Sequence, residues 1–148
     1  MFSKTCEYAI RALIFIAQQS RKGTRVGIKE VAVEIGSPEH FIAKILQELV
    51  RKQLVLSYKG PKGGFFIDPD SDCTLADVVL ALDGEKLFSG CGLGLEQCSE
   101  VCPCPIHAQF KKIRADFSEM LSNAKLVEFS AQLDRKATFL KTVKVSVR

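Results

Sequence analysis

The chain has 148 residues, of which 47% are hydrophobic, and a formal net charge of +4 at pH 7. These values predict one compact domain with an oligomerisation element, and they exclude a disordered tail protein. The mild basic excess permits a polyanionic partner without requiring one. No signal-peptide pattern is visible, and the longest purely apolar run, residues 12–17, is far shorter than the ~20 residues of a membrane span. We therefore expect a cytoplasmic protein that does not enter a membrane.

Three helices are predicted in the first third of the chain. Apolar residues at 2, 6, 10, 13 and 17 recur with helical spacing, and the stretch 21–24 ends this first helix. Residues 28–35 predict a short second helix, which a sharp break at 36–38 follows. Ser37 suits the N-cap of a third helix and Pro38 its first position. This third helix, about 38–52, is expected to bury Phe41, Ile42, Ile45, Leu46 and Leu49.

The rest of the chain predicts a hairpin, a fourth helix, a loop and a long helix. Two short β-type runs, 54–58 and 65–67, flank a glycine-dense tip at 59–64. Residues 74–77 resemble a capping box that opens a helix to about Asp83. We therefore predict a mainly α fold with a small β-wing. A winged helix-turn-helix DNA-binding domain is expected over 1–84, followed by a cysteine-rich loop without helical period over 85–104. A dimerisation helix is expected over 105–125, and a C-terminal helix with a basic tail over 126–148.

A short helix, a tight turn, a helix with a polar outer face and a glycine-tipped hairpin are typical of a winged helix-turn-helix. His40, Lys44 and Gln47 share one helical face, from which they could reach base edges in the major groove. Lys59 and Lys62 lie on a thin tip suited to a minor groove or to phosphates. The pattern alone also fits a protein-interaction domain. The candidate DNA-contacting residues are Ser37, His40, Ala43, Lys44, Gln47, Lys59, Gly60 and Lys62.

Four cysteines and a histidine crowd the segment 91–107 in the pattern C-x6-C-x3-C-x-C-x2-H. Thiols in a cytosolic protein are more often ligands or redox centres than structural disulfides. Uneven gaps within one loop favour an iron–sulfur cluster over structural zinc, which usually draws on two short knuckles far apart in sequence. Zinc binding and metal-free thiol chemistry are the alternatives. The candidate ligands are Cys91, Cys98, Cys102, Cys104 and His107.

Other candidate residues lie outside this loop or at its edge. His107 is expected one turn into the long helix, from where its ring can point back at the loop. Cys6 and Cys73 are expected to be small buried residues rather than ligands. Glu7, on the first helix, is either a solvated acid or, in a dimer, a side chain that could reach the partner's metal centre.

The long helix carries an apolar stripe with the spacing of a heptad seam. A core helix within one chain fits the same stripe, but a helix this long on a small winged domain favours pairing with a second copy. A homodimer would read two half-sites on DNA by twofold symmetry. The candidate dimerisation residues are Ile106, Phe110, Ile113, Phe117, Met120 and Ala124.

Four segments considered together carry a family resemblance. They are YAIRAL at 8–13, KGPKGGF at 59–65, TLADVV at 74–79 and the cysteine loop. With these motifs in their expected context, the chain over about residues 1–125 resembles the Rrf2 family of bacterial winged-helix transcription regulators.

The resemblance implies a winged-helix domain, a dimer of crossed long helices and operator binding. In cluster-bearing members three loop cysteines hold the cluster, and they match Cys91, Cys98 and Cys104 here. In members that regulate iron–sulfur cluster assembly the fourth ligand is a histidine, matching His107, which favours a [2Fe-2S] over a [4Fe-4S] cluster. In nitric oxide-sensing members the fourth ligand is an acid from the other subunit's first helix, at the position of Glu7.

This sequence departs from the family pattern in three ways. The first cysteine gap is one residue longer than usual, and Cys102 is an additional thiol. Lys59 stands where arginine is common, which removes a planar fork suited to minor-groove contact.

We therefore expect a DNA-binding transcription regulator, a repressor, that senses redox, iron–sulfur or nitric oxide status through a cluster. One alternative is a cluster-free winged-helix regulator that responds by thiol oxidation or zinc binding. Another, from a different class, is a small iron–sulfur electron carrier, which would have no use for a recognition helix and wing. An enzyme is not expected, because no set of acid, base and nucleophile can be assembled around the two histidines. The expected partners are double-stranded operator DNA and a second copy of the chain.

Overall fold

The computed structural model describes residues 1–144. Over this range the chain is mainly helical with a small two-stranded antiparallel sheet, as the sequence predicts. In chain order the elements are α1 (Lys4–Arg21), α2 (Ile28–Ile35), α3 (Glu39–Arg51), β1 (Leu56–Tyr58), β2 (Gly64–Phe66), α4 (Leu75–Asp83), α5 (Lys86–Ser89), α6 (His107–Asn123) and α7 (Leu126–Asp134). Residues 145–148, the end of the predicted basic tail, lie outside the described residues.

The core is built around α1. Ser3 caps this helix, and its Oγ accepts a hydrogen bond from the Cys6 N–H at 3.1 Å. Every side chain from residue 12 to 17 is buried, because α2, α3, α4 and α7 all pack against α1. Among residues 1–144, no helix is both long enough and apolar enough to cross a bilayer.

Two expectations for the helix-turn-helix are wrong in detail. Pro38, rather than Ser37, is the N-cap of α3, because the Pro38 carbonyl accepts the first hydrogen bonds from the Phe41 and Ile42 N–H groups at 3.1 and 3.3 Å. The Ser37 hydroxyl is buried and has no hydrogen-bond partner within the described residues. Phe41 was expected in the core but is 52% exposed, since the inward face of α3 is filled by Ile42, Ile45, Leu46 and Leu49.

The predicted hairpin forms the wing. Strands β1 and β2 pair in an antiparallel register, with Ser57 opposite Phe65 and Tyr58 opposite Gly64. Val26, just before α2, exchanges backbone hydrogen bonds with Phe65 at 2.7 and 3.3 Å. The wing is thereby fastened to the segment that joins α1 to α2.

The second half of the chain follows the prediction with one exception. Thr74 and Asp77 form the expected capping box of α4, in which each side chain bonds the other residue's backbone N–H. The segment predicted as an irregular loop contains the short helix α5 at its start. Helix α6 then begins at His107, and α7 returns to pack on α1.

Candidate DNA-binding surface and cysteine centre

The outer face of α3 carries the predicted base-reading side chains. His40, Lys44 and Gln47 are exposed and Ala43 is half-buried. The ring of Phe41 lies 4.7 Å from that of His40, so an aromatic side chain that the sequence assigned to the core shares this surface. Ser37 is only half-buried as a residue but turns its hydroxyl inward, away from solvent.

The wing tip is thin because its glycines carry no side chains, and at Gly63 there is no room for one. A Cβ atom on Gly63 would lie 2.3 Å from the Tyr58 carbonyl oxygen, which is closer than atoms can approach. Lys59, Gly60 and Lys62 are exposed at this tip. Arg25, which no sequence motif indicated, also reaches the wing from the segment before α2.

The loop cysteines and His107 are arranged as two donor pairs. Cys91 Sγ lies 3.8 Å from Cys104 Sγ, and Cys98 Sγ lies 3.4 Å from His107 Nδ1. Within residues 1–144 no three histidine, cysteine or carboxylate side chains converge on a single metal position. All six cysteines lie in this range and are free thiols.

Arg114 of α6 contacts Cys98 of one pair and the residue before Cys91 of the other, and sequence reasoning missed it. Its Nη1 donates to the Gly90 carbonyl at 2.6 Å and contacts Cys98 Sγ at 3.3 Å. Gly90 immediately precedes Cys91, so one nitrogen bridges the start of the loop and its second cysteine. A basic residue two helical turns after His107 on the same face was the available sequence signal.

The backbone around Cys91 forms a cradle of N–H groups. Hydrogen bonds from the N–H groups of Leu93 and Leu95 lower the pKa of the Cys91 thiol below its usual value. Gly94 makes this curvature possible with a φ of +75°. Gly92 packs directly on α6, where a Cβ would lie 2.9 Å from the Phe110 ring. The cradle therefore favours an anionic sulfur, which is the form that binds metals.

One ring nitrogen in this centre is left without a partner. His107 Nε2 is buried, and within the described residues it has no hydrogen-bond partner. An unsatisfied buried polar atom of this kind costs free energy unless a ligand or a water satisfies it.

The remaining sulfur and acid candidates differ from the paired donors in burial and in contacts. Cys102 is exposed, whereas Cys6 is fully buried and Cys73 half-buried. Burial raises the pKa of the Cys6 thiol to about 12 and that of Cys73 to about 11, which keeps both protonated. The Glu7 carboxylate forms an ion pair with Lys4 Nζ at 2.9 Å on the surface of α1.

The predicted dimerisation stripe is partly exposed on the single chain. Leu121 is the one buried residue of α6. Ile113 and Met120 are 63% and 52% exposed and Ile106 is 36% exposed, whereas Phe110, Phe117 and Ala124 are half-buried.

Comparison with known proteins identifies the family. The Rrf2 family model, described as an iron-dependent transcriptional regulator, matches residues 2–132. The chain belongs to the Rrf2 family.

Individual Rrf2 relatives match most of the chain. A helix-turn-helix-type transcriptional regulator of Aquifex aeolicus is 30% identical over 122 residues, which is 80% of this chain and 83% of the relative. The helix-turn-helix-type transcriptional regulator IscR of Sodalis glossinidius is 28% identical over 121 residues, which is 82% of this chain and 73% of the relative. These relatives are named as transcriptional regulators and not as enzymes.

Solved Rrf2 structures share the fold. CymR, the global cysteine regulator of B. subtilis, superposes with a TM-score of 0.71 at 20% identity, covering 88% of this chain and 96% of that one. IscR of T. potens gives a TM-score of 0.66 at 19% identity, covering 98% and 93%. These structures show the winged-helix fold, and membership of the Rrf2 family makes the protein a DNA-binding transcription regulator.

Proposed function

We propose that this Rrf2 regulator holds a [2Fe-2S] cluster through Cys91, Cys98, Cys104 and His107 and changes its operator affinity with the state of that cluster. The observation that carries the proposal is the pairing of these donors, with Cys91 beside Cys104 and Cys98 beside His107. A [2Fe-2S] cluster has two irons, each bound by two protein ligands, so two adjacent pairs match its demand better than a single-metal site.

The environment of the pairs supports a resident anionic centre. The backbone N–H groups around Cys91 favour the thiolate, and the Arg114 guanidinium adds a positive charge at Cys98. The unpartnered His107 Nε2 is available as the ligand atom. If Nδ1 is the ligand instead, a partner at Nε2 would stabilise the tautomer that Nδ1 needs for binding. When bound, the cluster would supply one-electron redox chemistry and sensitivity to oxidants.

The contacts of the loop suggest how its state reaches the DNA. Gly92 packs on Phe110 and Arg114 bonds the loop, so both attach it to α6. The Phe2 ring lies 5.8 Å from the Phe117 ring, which links α6 to the start of α1. Helix α1 in turn supports α3. A loop movement therefore shifts α6 and α1 together and alters the orientation of the recognition helix.

The proposal includes a homodimer joined through α6. Two recognition helices related by twofold symmetry would contact two half-sites, and a change in their relative orientation would weaken binding at both. The protein would act in the cytoplasm as a repressor whose release from DNA allows transcription.

Anaerobic purification tests the ligand set. We expect a coloured protein with about two irons and two sulfides per chain. Cys91→Ser, Cys98→Ser and Cys104→Ser should each lose the colour, the iron and the sulfide. Cys102→Ser is the matched control in the same loop and should keep all three. His107→Ala and Glu7→Gln separate a histidine from an acid as the fourth ligand. Colourless protein that contains zinc or no metal would contradict the proposal.

DNA binding of the two forms tests the sensing. Operator affinity at fixed salt should differ at least about tenfold between the cluster-loaded and the cluster-free protein, which corresponds to ~1.4 kcal/mol of coupling between the sites. Equal operator affinity of the two forms would contradict cluster sensing but would not count against DNA binding.

A second candidate function rests on the 3.8 Å separation between Cys91 Sγ and Cys104 Sγ. Small movements would bring these sulfurs to the ~2.05 Å of a disulfide, so a cluster-free regulator could respond to thiol oxidation. This second function predicts a colourless protein whose operator affinity changes when the thiols are oxidised and recovers when they are reduced. Cys104→Ser would abolish that response.

A further inference from the structure

Arg25 lies at the edge of the wing rather than in a free loop. It directly precedes Val26, whose backbone is hydrogen-bonded to Phe65 of β2. The arginine backbone is therefore fixed next to the hairpin, and its exposed side chain extends over Tyr58 of β1.

Two contacts hold the Arg25 guanidinium in place. Its central carbon lies 3.6 Å from the centroid of the Tyr58 ring, in a stacked cation–π contact. Its Nη1 donates to the Lys62 carbonyl oxygen at 3.4 Å, which brings it to the tip of the hairpin. Tyr58 is steadied in turn by an edge-on contact with Phe66 at 6.4 Å. The side chain is thus ordered before any ligand arrives.

The held guanidinium still has free hydrogen-bonding capacity. Arginine carries five N–H donors in a planar fork, and the contact with Lys62 uses one of its nitrogens. Lys59 and Lys62 add two more positive charges at this tip, and no acid occurs from residue 59 to residue 67. The wing tip therefore brings three basic side chains together without an acidic residue among 59–67.

We propose that Arg25 is the specificity-determining residue of the wing and inserts its guanidinium into an A·T-rich minor groove next to the site where α3 enters the major groove. A·T tracts have a narrow minor groove with enhanced negative potential, which attracts inserted arginine. The G·C pair instead places the guanine N2 amino group, a donor, in the groove, where it opposes another donor. This inference rests on the DNA-binding function and deepens it by naming a sequence preference and the residue that reads it.

The test uses the full-length protein and a duplex that the wild type selects from a random pool. Operator affinity is measured by fluorescence anisotropy at several salt concentrations. Arg25→Ala should weaken binding about tenfold. Arg25→Lys keeps the charge but lacks the fork, so it should recover only part of the affinity. Lys125→Ala is the matched control, because it removes a positive charge from an exposed ion pair with Asp72 at the start of α7, outside the wing and α3.

Base substitutions in the duplex distinguish a minor-groove contact from a phosphate contact. Replacing the A·T pairs under the wing by G·C should weaken the wild type, whereas inosine·C pairs, which lack the N2 amino group, should restore its affinity. Arg25→Ala should be indifferent to both replacements. If Arg25→Ala instead binds all duplexes more weakly by the same factor, and its slope of log affinity against log salt is reduced by about one, Arg25 contacts a phosphate. That result would overturn the proposal.

Further outcomes separate this proposal from its premises. Thermal unfolding of Arg25→Ala should match the wild type, and a large loss of stability would instead give Arg25 a structural role. Wild-type affinity retained in Arg25→Ala would overturn the Arg25 assignment alone. Failure of the wild type to select any duplex would count against specific DNA binding itself.

Discussion

The sulfur of Cys98 is held by the long helix as much as by its own loop. His107 and Arg114 are two helical turns apart on one face of α6, and both contact this sulfur. A ligand attached to a rigid element is positioned more accurately than one carried by a loop alone. Cys98 is therefore the point where a change in the loop is passed most directly to α6.

Arg114 should tune the reduction potential of the loaded protein. Its positive charge next to Cys98 Sγ stabilises the more negative, reduced state. We expect Arg114→Gln to lower the potential by tens of millivolts, on the order of what hydrogen bonds to cluster sulfurs contribute, as measured by anaerobic redox titration. Lys112→Gln, which removes an exposed charge of the same helix, should leave the potential unchanged. A potential that shifts equally in both variants would show a general charge effect.

At the scale of elements, the wing depends on close backbone packing. Gly63 approaches the Tyr58 carbonyl, and Gly64 approaches the backbone of Val26, where a Cβ would lie 2.8 Å from the Val26 oxygen. Gly64 also has a φ of +137°, which a residue with a side chain adopts only under strain. The glycine-dense tip in the sequence is thus a requirement of the hairpin and of its attachment to the rest of the fold.

Gly63→Ala should disrupt the wing and spare the cysteine centre. The added methyl group collides with backbone that cannot move away without opening the turn, so we expect a loss of about 1–3 kcal/mol in the free energy of unfolding. Urea denaturation measures this loss, and operator affinity should fall with it while iron content does not. Gly27→Ala is the steric control, since its Cβ meets nothing closer than Glu30 Oε1 at 3.9 Å, and any loss there is limited to the poorer capping of α2 by alanine. Equal stability of the two variants would contradict the steric argument.

At the scale of the whole molecule, α6 exposes an apolar stripe. This helix of 17 residues fully buries one side chain, so part of its apolar stripe is left uncovered by its own chain. Ile113 and Met120, spaced by one heptad, project from it into solvent. A second copy packed on this stripe would bury it, which is the physical basis of the proposed dimer.

Ile113→Glu should convert the protein to a monomer. Placing a charge in the middle of the stripe opposes its burial, and simultaneous contact with two half-sites is then lost. We expect sedimentation to show the single-chain mass and operator affinity to fall about tenfold or more. Ala115→Glu introduces the same charge on the opposite, exposed side of α6 and should remain dimeric. A dimeric Ile113→Glu protein would place the interface elsewhere.

The sequence by itself determined the features that depend on neighbouring residues. Helical spacing predicted α1, α2 and α3, the pattern at 74–77 predicted a capping box, and the glycines at 60–64 predicted a tight hairpin. These signals are local because hydrogen bonds and side-chain periodicity within one element link residues only a few positions apart. The four thiols crowded into residues 91–104 likewise predict a ligand or redox centre from the sequence alone.

Only the tertiary structure decided how distant residues meet. Arg25 lies 37 residues before Lys62, yet both lie at the wing tip, and Arg114 reaches Cys98 from 16 residues away. Phe41 follows the helical pattern of a core residue but is exposed, because its neighbours on α3 already fill the space against α1 and α2. Such outcomes depend on which elements pack together and how much volume they leave, and no local pattern encodes that competition.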